Sequence, residues 1–472
     1  MREVEVGSRS AQPLASVVEP SHLARFETAQ RAVAEHLAGR TLWQINSTSE
    51  GGGVAELLHA LLGYLVDGGI TTRWLVVDGT DEFFGVTKRL HNHLHGSPGD
   101  GASLGERERQ VIDEALAADR AELLELVAPG DVAVLHDPQT TGLIRQLRAA
   151  GVDVVWVCHI GIDDPNDLTR SAWEFLLPDV AEASATVFSR PDYVWEVLEG
   201  STTRVIPPCI DPTSAKNAEL SAAECSAILA GAGVFPLERH LSEAGPLEVV
   251  HRAEMVEGAS PPSDSPLVLQ VSRWDRLKDP VGVLQAFAQV PLHLGAHLLL
   301  AGPATVRDDP EGRVVLDEVV EARESLEHAV LERVHLAILS VEDMVENAFV
   351  VNALQRRADV VVQKSLAEGF GLTVAEAMWK RRPVVGSRVG GIQDQIVHGE
   401  SGLLVAPRDL DALADAITSL VHDPGFASAI GHGARERIRL RFLPPHFLAA
   451  HLELIDELLA AEPRLPASSE AT

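Results

Sequence analysis

Ala367-Glu368-Gly369-Phe370-Gly371-Leu372-Thr373-Val374-Ala375-Glu376-Ala377-Met378 sets two carboxylates around a glycine turn that opens directly into a helix. Just before it, residues 359–362 (Asp-Val-Val-Val) have the length and β-branched composition of a buried strand. Strand, glycine turn and helix in that order make a βα unit. Free backbone N–H groups at the start of such a helix, with the positive end of its dipole, favour an anion, and glycines let a ligand approach the main chain. The stretch reads as a phosphate or sugar cradle. Thr373 and Glu376 also have the S/T-x-x-E spacing of a capping box, with Thr373 as N-cap, a role in which they need only each other. Both readings stand on these residues alone.

The same alternation extends outward. Apolar runs at 267–271, 297–302, 334–336, 383–386 and 402–405 predict further strands around this unit, and 42–46, 73–77, 132–135, 154–157 and 186–188 predict an earlier series. Helical patterns separate them, as at 54–66, where Val54, Leu57, Leu58, Leu61, Leu62 and Leu65 share one face. The fold class is therefore α/β: two doubly wound, Rossmann-like parallel-sheet domains, expected to face a central cleft beyond the carboxyl ends of their strands. Residues 204–212, with Pro207, Pro208 and Pro212, predict the linker. The expected division is 1–40, a tail and a helix over 21–37 packing on the first domain; 41–208, the first domain; 209–445, the second; and 446–472, a last helix and a disordered tail from Pro463. Helices over 409–420 and 446–459 are expected to close the second domain, and 213–265 to form a helix followed by a surface loop.

Apolar residues make up 46% of the 472-residue chain, and no apolar run approaches bilayer-spanning length. The N-terminus lacks the basic region and apolar core of a secretory signal, so a cytoplasmic protein is expected. Cys158, Cys209 and Cys225 are too few and too irregularly spaced for a disulfide framework or a zinc site. A net charge of -30 repels nucleic acid and anionic membranes, so neither is expected as a partner. An anionic small molecule must be held against this field by local Arg, Lys or backbone N–H groups.

Several groups can do so. Gly51, Gly52 and Gly53 end a polar loop between a strand and a helix, where backbone amides can face a phosphate. Arg273 and Lys278 follow the strand at 267–271; Arg suits a bidentate phosphate contact and Lys a point charge. Surface solvation is the plainer fate of such cations. His136-Asp137 and Cys158-His159 stand at the ends of neighbouring strands, where a histidine can donate to a sugar hydroxyl or a developing charge. His91, His93 and His95 lie on a helical pattern where residues two apart diverge, which disfavours a shared metal; they read as solvated, with Lys88, His91 and Asn92 as acceptor-site candidates. There is no P-loop, no G-x-G-x-x-G fingerprint and no G-x-S-x-G nucleophile elbow.

Arg273 with Lys278 (S-R-x4-K), and Glu368 with Glu376 across a Gly-Phe-Gly turn (E-x7-E), resemble the retaining glycosyltransferases of family four over nearly all of both βα domains. The closest likeness is to the trehalose-forming glycosyltransferring synthases, through residues 46–56, 82–84, 136–139, 158–160 and 368–380; fungal-type retaining trehalose phosphorylases look similar too. The resemblance implies a GT-B fold and transfer of glucose from ADP- or UDP-glucose to free glucose, giving trehalose. In that scheme Arg273 and Lys278 hold the diphosphate, Glu376 the ribose and Glu368 the transferred glucose. The backbone of Phe370, Gly371 and Leu372, with Thr373, holds phosphate and sugar, while Gly51, Gly52 and Gly53 cover the donor. His159 contacts the transferred sugar. His136, Asp137, Gln139, Glu82, Lys88 and Asn92 are implied on the acceptor side. No metal and no cofactor is required, Mg2+ being at most a stimulant, and a homodimer is an allowed assembly. Trehalose phosphorolysis, another small acceptor, and a sugar-nucleotide-binding regulator without turnover are the competing readings. Two departures from the family pattern stand out: Asp279, where many members have Gly, which could perturb the diphosphate contact, and a long segment over 228–265.

Overall fold

The computed structural model describes residues 1–50, 52–200, 202–236, 248–256, 259–304 and 310–461. The chain forms two compact units: residues 1–208 with the stretch from Pro444, and residues 209–443. The chain therefore passes between them twice, once near the proline-rich linker and once before Pro444.

The first unit is built on a seven-stranded sheet of order β1-β3-β2-β4-β5-β6-β7. Its strands are β1 (Arg2–Val4), β2 (Leu42–Asn46), β3 (Thr72–Val76), β4 (Val132–His136), β5 (Asp153–Cys158), β6 (Ala185–Phe188) and β7 (Thr203–Val205). All neighbours are parallel except β1, which runs antiparallel to β3. Every residue of β2 and of β4 is buried, as expected where helices cover both faces. Trp43, Ile45, Leu135 and Trp156 pack with Phe83, Leu90 and Trp173 from the covering helices. The edge strands β1 and β7 give almost no sequence signal, each being three residues long with two of the three polar. β1 is held at its rim by Glu3, which receives Arg73 at 2.7 Å.

Of the two helices expected to close the second domain, only Leu410–His422 does so. Pro444–Ala460 instead packs on Pro20–His36 in the first unit, where Arg25 reaches Glu453 at 2.5 Å and His36 reaches Asp456 at 2.6 Å. Amphipathicity says that a helix has a partner and leaves the partner unnamed.

The second unit carries β8 (Glu254–Met255), β9 (Leu267–Val271), β10 (His297–Pro303), β11 (Val334–Leu339), β12 (Val360–Gln363), β13 (Val384–Ser387) and β14 (Leu403–Val405). Their order is β14-β13-β12-β9-β10-β11-β8, parallel except for β8 against β11. Val268, Leu298, Leu300, Leu336, Val360 and Val385 form its core with Val283, Phe287 and Ile417. β8 falls where a loop was expected. The preceding helix, Ala222–Gly231, starts in a capping box of Ser221 and Glu224. Much of the long segment that follows (237–247, 257–258) lies outside the described residues, as does the expected tail from Pro463.

From β9 the chain winds one way through β10 and β11 and the other way through β12, β13 and β14, so the carboxyl ends of β9 and β12 flank a topological switch point. In the first sheet β2 and β4 occupy the same position. The parallel topology requires an opening at both places, and the chemistry-bearing residues gather there.

Candidate active site

In the second unit the loop after β12 turns through Gly371, whose φ of 85° is left-handed, into the helix Leu372–Trp379. A Cβ at Gly371 would also crowd the side chains of Ile392 at 3.2 Å and Glu368 at 3.3 Å, so glycine is favoured first by the backbone and then by the space. No side chain caps this helix. Thr373 is not the N-cap: its hydroxyl donates to Gln363 Oε1 at the end of β12 (3.1 Å). The capping-box reading fails with it. Glu376 is 1% exposed, and among the described residues its Oε2 has no hydrogen-bond partner, while Oε1 lies 3.8 Å from Lys216 Nζ. A buried carboxylate oxygen left open, one turn into the helix, is costly without a ligand and suited to one that carries hydroxyl donors.

Glu368 faces the end of β9. Its Oε2 receives Lys278 Nζ at 2.5 Å and Ser365 Oγ at 2.9 Å. This closes a short circuit between the two strand ends. Leu366 N donates to Leu277 O at 2.7 Å, Gln270 Nε2 to Lys278 O at 3.2 Å, and Lys364 N to Gln270 Oε1 at 3.4 Å. Asp279 sits at φ 46°, a left-handed conformation that glycine adopts without strain. Its carboxylate accepts from Gly282 N at 3.0 Å, capping Pro280–Phe287, and pairs with the buried Lys364. The departure at 279 is thus satisfied inside the protein by a helix start and a cation. Arg273 remains outward, its side chain 68% exposed and 3.4 Å from Asp275, free to turn to a ligand.

The cradle's backbone is fixed from behind. Gln395 Nε2 donates to Phe370 O at 2.6 Å and Gly371 O at 3.3 Å, and Gly391 N donates to Gly369 O at 2.9 Å. A Cβ on Gly391 would strike Phe370 Cα at 2.6 Å. Gln395, Gly391, Lys364, Ser365 and Lys216 were all missed in sequence. The Gly390-Gly391 pair after a strand and the Lys364-Ser365 step before Glu368 were the available signals; Gln395 and Lys216 offered none, because only the tertiary fold brings them here.

In the first unit the ends of β4 and β5 place two imidazoles parallel. His136 Nδ1 lies 3.2 Å from His159 Nε2, and His136 Nε2 lies 2.9 Å from Gln44 Oε1 on β2. Burial holds both histidines below the ordinary imidazole value, His136 well below with His159 adding to the effect, while Asp137 partly opposes it at His159. Asp137 adopts φ 61° and ψ 177°, a region sparsely used by anything but glycine. It is held there by His159 N on Oδ1 (2.8 Å) and by Trp156 Nε1 on its carbonyl (3.1 Å). Burial pushes the Asp137 carboxyl upward. Strained backbone beside two stacked histidines of lowered proton affinity makes this edge a candidate site. His451, from the C-terminal helix, joins this group: burial pushes it down to about 4, and its Nδ1 lies 3.0 Å from Phe447 O. Nothing in sequence could connect it to residues some three hundred positions earlier.

The other first-unit candidates are more scattered. Gln139 is half-buried with its amide oxygen unpartnered among the described residues. Glu82 and Lys88 are exposed on Asp81–Leu94, Glu82 lying 3.3 Å from Arg107. Asn92, on the same helix, is half-buried. The expectation that the neighbouring histidines are solvated is wrong for His93, which is buried, with a lowered proton affinity caused by that burial. His91 and His95 are half-buried and meet edge-on at 4.7 Å. Among the described residues no group of three His, Cys, Asp or Glu side chains is arranged to hold a metal. Gly52, at φ 78°, precedes the helix Gly53–Asp67 as expected of a loop that exposes its amides; Gly51 lies outside the described residues. The loop is anchored by Asn46 Nδ2 on Thr48 O (2.6 Å) and Arg2 on Ser49 Oγ (2.6 Å). No described helix is long and apolar enough to cross a membrane.

The family models agree with this division. That for the N-terminal domain of trehalose synthase matches residues 44–195, and that for glycosyl transferases group 1 matches residues 252–437. The trehalose synthase of Pyrococcus horikoshii is 33% identical over 460 residues, covering 97% of this chain and 99% of its own. Trehalose phosphorylase of Pleurotus sajor-caju is more distant, at 26% identity, and the match spans 83% of this chain but 54% of that one. Among solved structures, a UDP-forming α,α-trehalose-phosphate synthase from Burkholderia xenovorans superposes with a TM-score of 0.64 at 17% identity, covering 89% of this chain and 98% of its own, which shows the fold. With two doubly wound sheets of the GT-B kind and a full-length match to a named synthase, this chain belongs to the trehalose synthase family of glycosyltransferases, hexosyltransferases that act in trehalose-related glycosyl transfer.

Proposed function

We propose that this protein is a retaining glucosyltransferase that moves glucose from a nucleoside diphosphate glucose, ADP- or UDP-glucose, to free glucose, forming trehalose. The observation that carries the reading is the set of groups at the second switch point: a lysine paired with a carboxylate, an uncapped helix N-terminus, and a buried carboxylate with one oxygen open. These match a ligand with a negative diphosphate, a hydroxyl-bearing sugar and a diol. Lys278 and Arg273 take the diphosphate together with the N–H groups of Phe370, Gly371 and Leu372. Glu368 takes the glucose hydroxyls, and Glu376 the ribose. The neutral His136–His159 pair, with Asp137 and Gln139, serves the sugar side of the reaction, where the ligand is uncharged.

The glycosidic C1–O bond of the donor breaks towards the diphosphate, and the acceptor's anomeric oxygen bonds to C1 on the same face. Its proton passes to the departing phosphate oxygen. No protein nucleophile enters, and the chain's share is to hold the two partners and stabilise charge on the leaving diphosphate. Cations and backbone amides supply that stabilisation, so turnover is expected without a resident metal or cofactor, magnesium being at most a stimulant. Purified protein given labelled ADP-, UDP- or GDP-glucose and glucose should yield a non-reducing disaccharide and the matching nucleoside diphosphate. No such product with any nucleotide would overturn the acceptor assignment. Glucose 1-phosphate from trehalose and phosphate would instead place the chain with the phosphorylases, and donor protection in a thermal melt without product would make it a binding protein.

A further inference from the structure

Lys216 was not signalled by any motif, yet the structure goes to unusual length to place it. It lies in the turn after Pro212, whose neighbouring groups are tied to side chains on the helix Met344–Arg357 and at the end of the helix Leu372–Trp379. Asn352 Nδ2 donates to Ala215 O and to Ala218 O, both at 2.9 Å, and Arg356 Nη2 donates to Ala218 O at 2.9 Å. Asn217, 3% exposed, receives Lys380 Nζ on its Oδ1 at 3.0 Å and donates to Asp211 O at 3.0 Å. Trp379 Nε1 donates to Asn217 O at 3.3 Å. A surface turn needs none of this.

The ammonium so held lies 3.8 Å from Glu376 Oε1, beyond hydrogen-bond range and within ion-pair range. That distance has a consequence. Lys216 can hold the buried carboxylate in place from the Oε1 side without occupying the lone pairs that a ligand would use, and Oε2 stays open. The other charged groups around this helix face are Lys380, whose ammonium hydrogen-bonds the Glu376 carbonyl at 3.2 Å, with Arg356 and Glu219 behind it. Of these, Lys216 is the one the structure pairs with the carboxylate itself.

We propose that Lys216 is a positioning residue for nucleotide recognition, engaging Glu376 at Oε1 so that Oε2 is presented to the vicinal diol of the donor's ribose. This rests on the functional reading above. It distinguishes Lys216 from a diphosphate ligand: its effect should be confined to the ribose hydroxyls.

The test is calorimetric binding of ADP and UDP, each against its 2′-deoxy and 3′-deoxy form, to the full-length protein and to Lys216→Met, Lys216→Arg, Glu376→Gln and the Lys216→Met/Glu376→Gln double variant. The wild type should prefer a ribonucleotide by roughly tenfold, the size of one charge-assisted hydrogen bond. That preference should fall to within about twofold in Lys216→Met, persist in Lys216→Arg, and be no lower in the double variant than in Glu376→Gln alone. Equal weakening of ribo- and deoxynucleotides in Lys216→Met would make it a diphosphate ligand and overturn the proposal, as would a preference that survives unchanged. Loss of all binding by Lys216→Met and Lys216→Arg alike, with a lowered melting temperature, would assign it a structural role and overturn it too. If the wild type bound no nucleoside diphosphate, the functional reading itself would fail and take this inference with it.

Discussion

The two switch points are built from the same topology and opposite chemistry. At the second sheet, the ionisable groups Lys278, Glu368 and Arg273 follow the strand ends, and Glu376 lies on the uncapped helix after them. At the first, His136, His159 and Gln44 form a chain of neutral groups in which burial opposes protonation of the imidazoles. In a low-dielectric opening, fixed charges are useful against a charged ligand and costly against a neutral one. The contrast supports the proposed division, with the diphosphate held at the second sheet and an uncharged sugar at the first.

The largest effect should come from the charged half. Glu368→Ala is expected to lower kcat/KM for transfer by about a thousandfold and Arg273→Ala by about a hundredfold, the range found when a group aimed at developing charge is removed. Far-UV circular dichroism should stay unchanged, because Arg273 is mostly exposed and Glu368 contacts Lys278 and Ser365 rather than the core. Near-wild-type rates from either variant would remove the second switch point from the reaction.

The neutral half should respond more mildly and in a different variable. His159→Phe is expected to lower kcat/KM by roughly tenfold to a hundredfold, and His159→Gln by less, since an amide can still hydrogen-bond. The pH dependence separates the halves. Burial lowers the proton affinity of both imidazoles, so the neutral form is the working form and persists as pH falls. The rate should hold through about pH 6.5, the ordinary histidine value, and decline only below it. A halving centred near 6.5 that disappears in His159→Gln would show that the ring titrates normally and that the neutral character is wrong.

How much of this contrast was legible beforehand follows from where each piece sits in the chain. The strand runs and the Gly369–Leu372 turn are local, so residues 359–378 announce strand, glycine turn and helix without help. Glu376 was ambiguous for a physical reason: a capping box and a ligand-binding carboxylate need the same residue at the same spacing, and only the hydroxyl of Thr373, turned to Gln363, separates them. The resemblance supplied the roles of Arg273, Lys278 and His159. Asp279 looked like a perturbation because its partners, Gly282 N and Lys364, come one from the next turn and one from just past the end of β12. β1, β7 and β8 are too short to carry a period-two pattern. Lys216 and His451 are the extreme case, functional neighbours only through long-range folding.

A smaller effect probes whether protein charge alone serves the diphosphate. With Lys278, Arg273 and a helix N-terminus in place, exhaustive chelation should change initial rates by no more than about twofold. A tenfold loss restored by magnesium would mean that the charged half is incomplete without a cation.

The smallest effect tests a cation that the charged half has buried. Lys380 Nζ donates to Gln355 Oε1 at 2.8 Å, Asn217 Oδ1 at 3.0 Å and Glu376 O at 3.2 Å, and desolvation lowers its proton affinity to about 7, only partly offset by Glu376. The unfolded chain holds this proton to a pH near 10.5, so between about 7 and 10.5 the unfolded state binds more protons and stability must rise with pH. Below about 7 both states are protonated and the penalty is fully present. Lys380→Met removes the titration but leaves two buried oxygens short of a donor, so it should be less stable at every pH, by a few degrees in Tm. The informative quantity is the gap: wild type should gain on Lys380→Met as the pH is raised from 7 to 10. A constant gap would mean that Lys380 stays charged throughout, and that even the buried interior of this unit is a medium in which charge is retained.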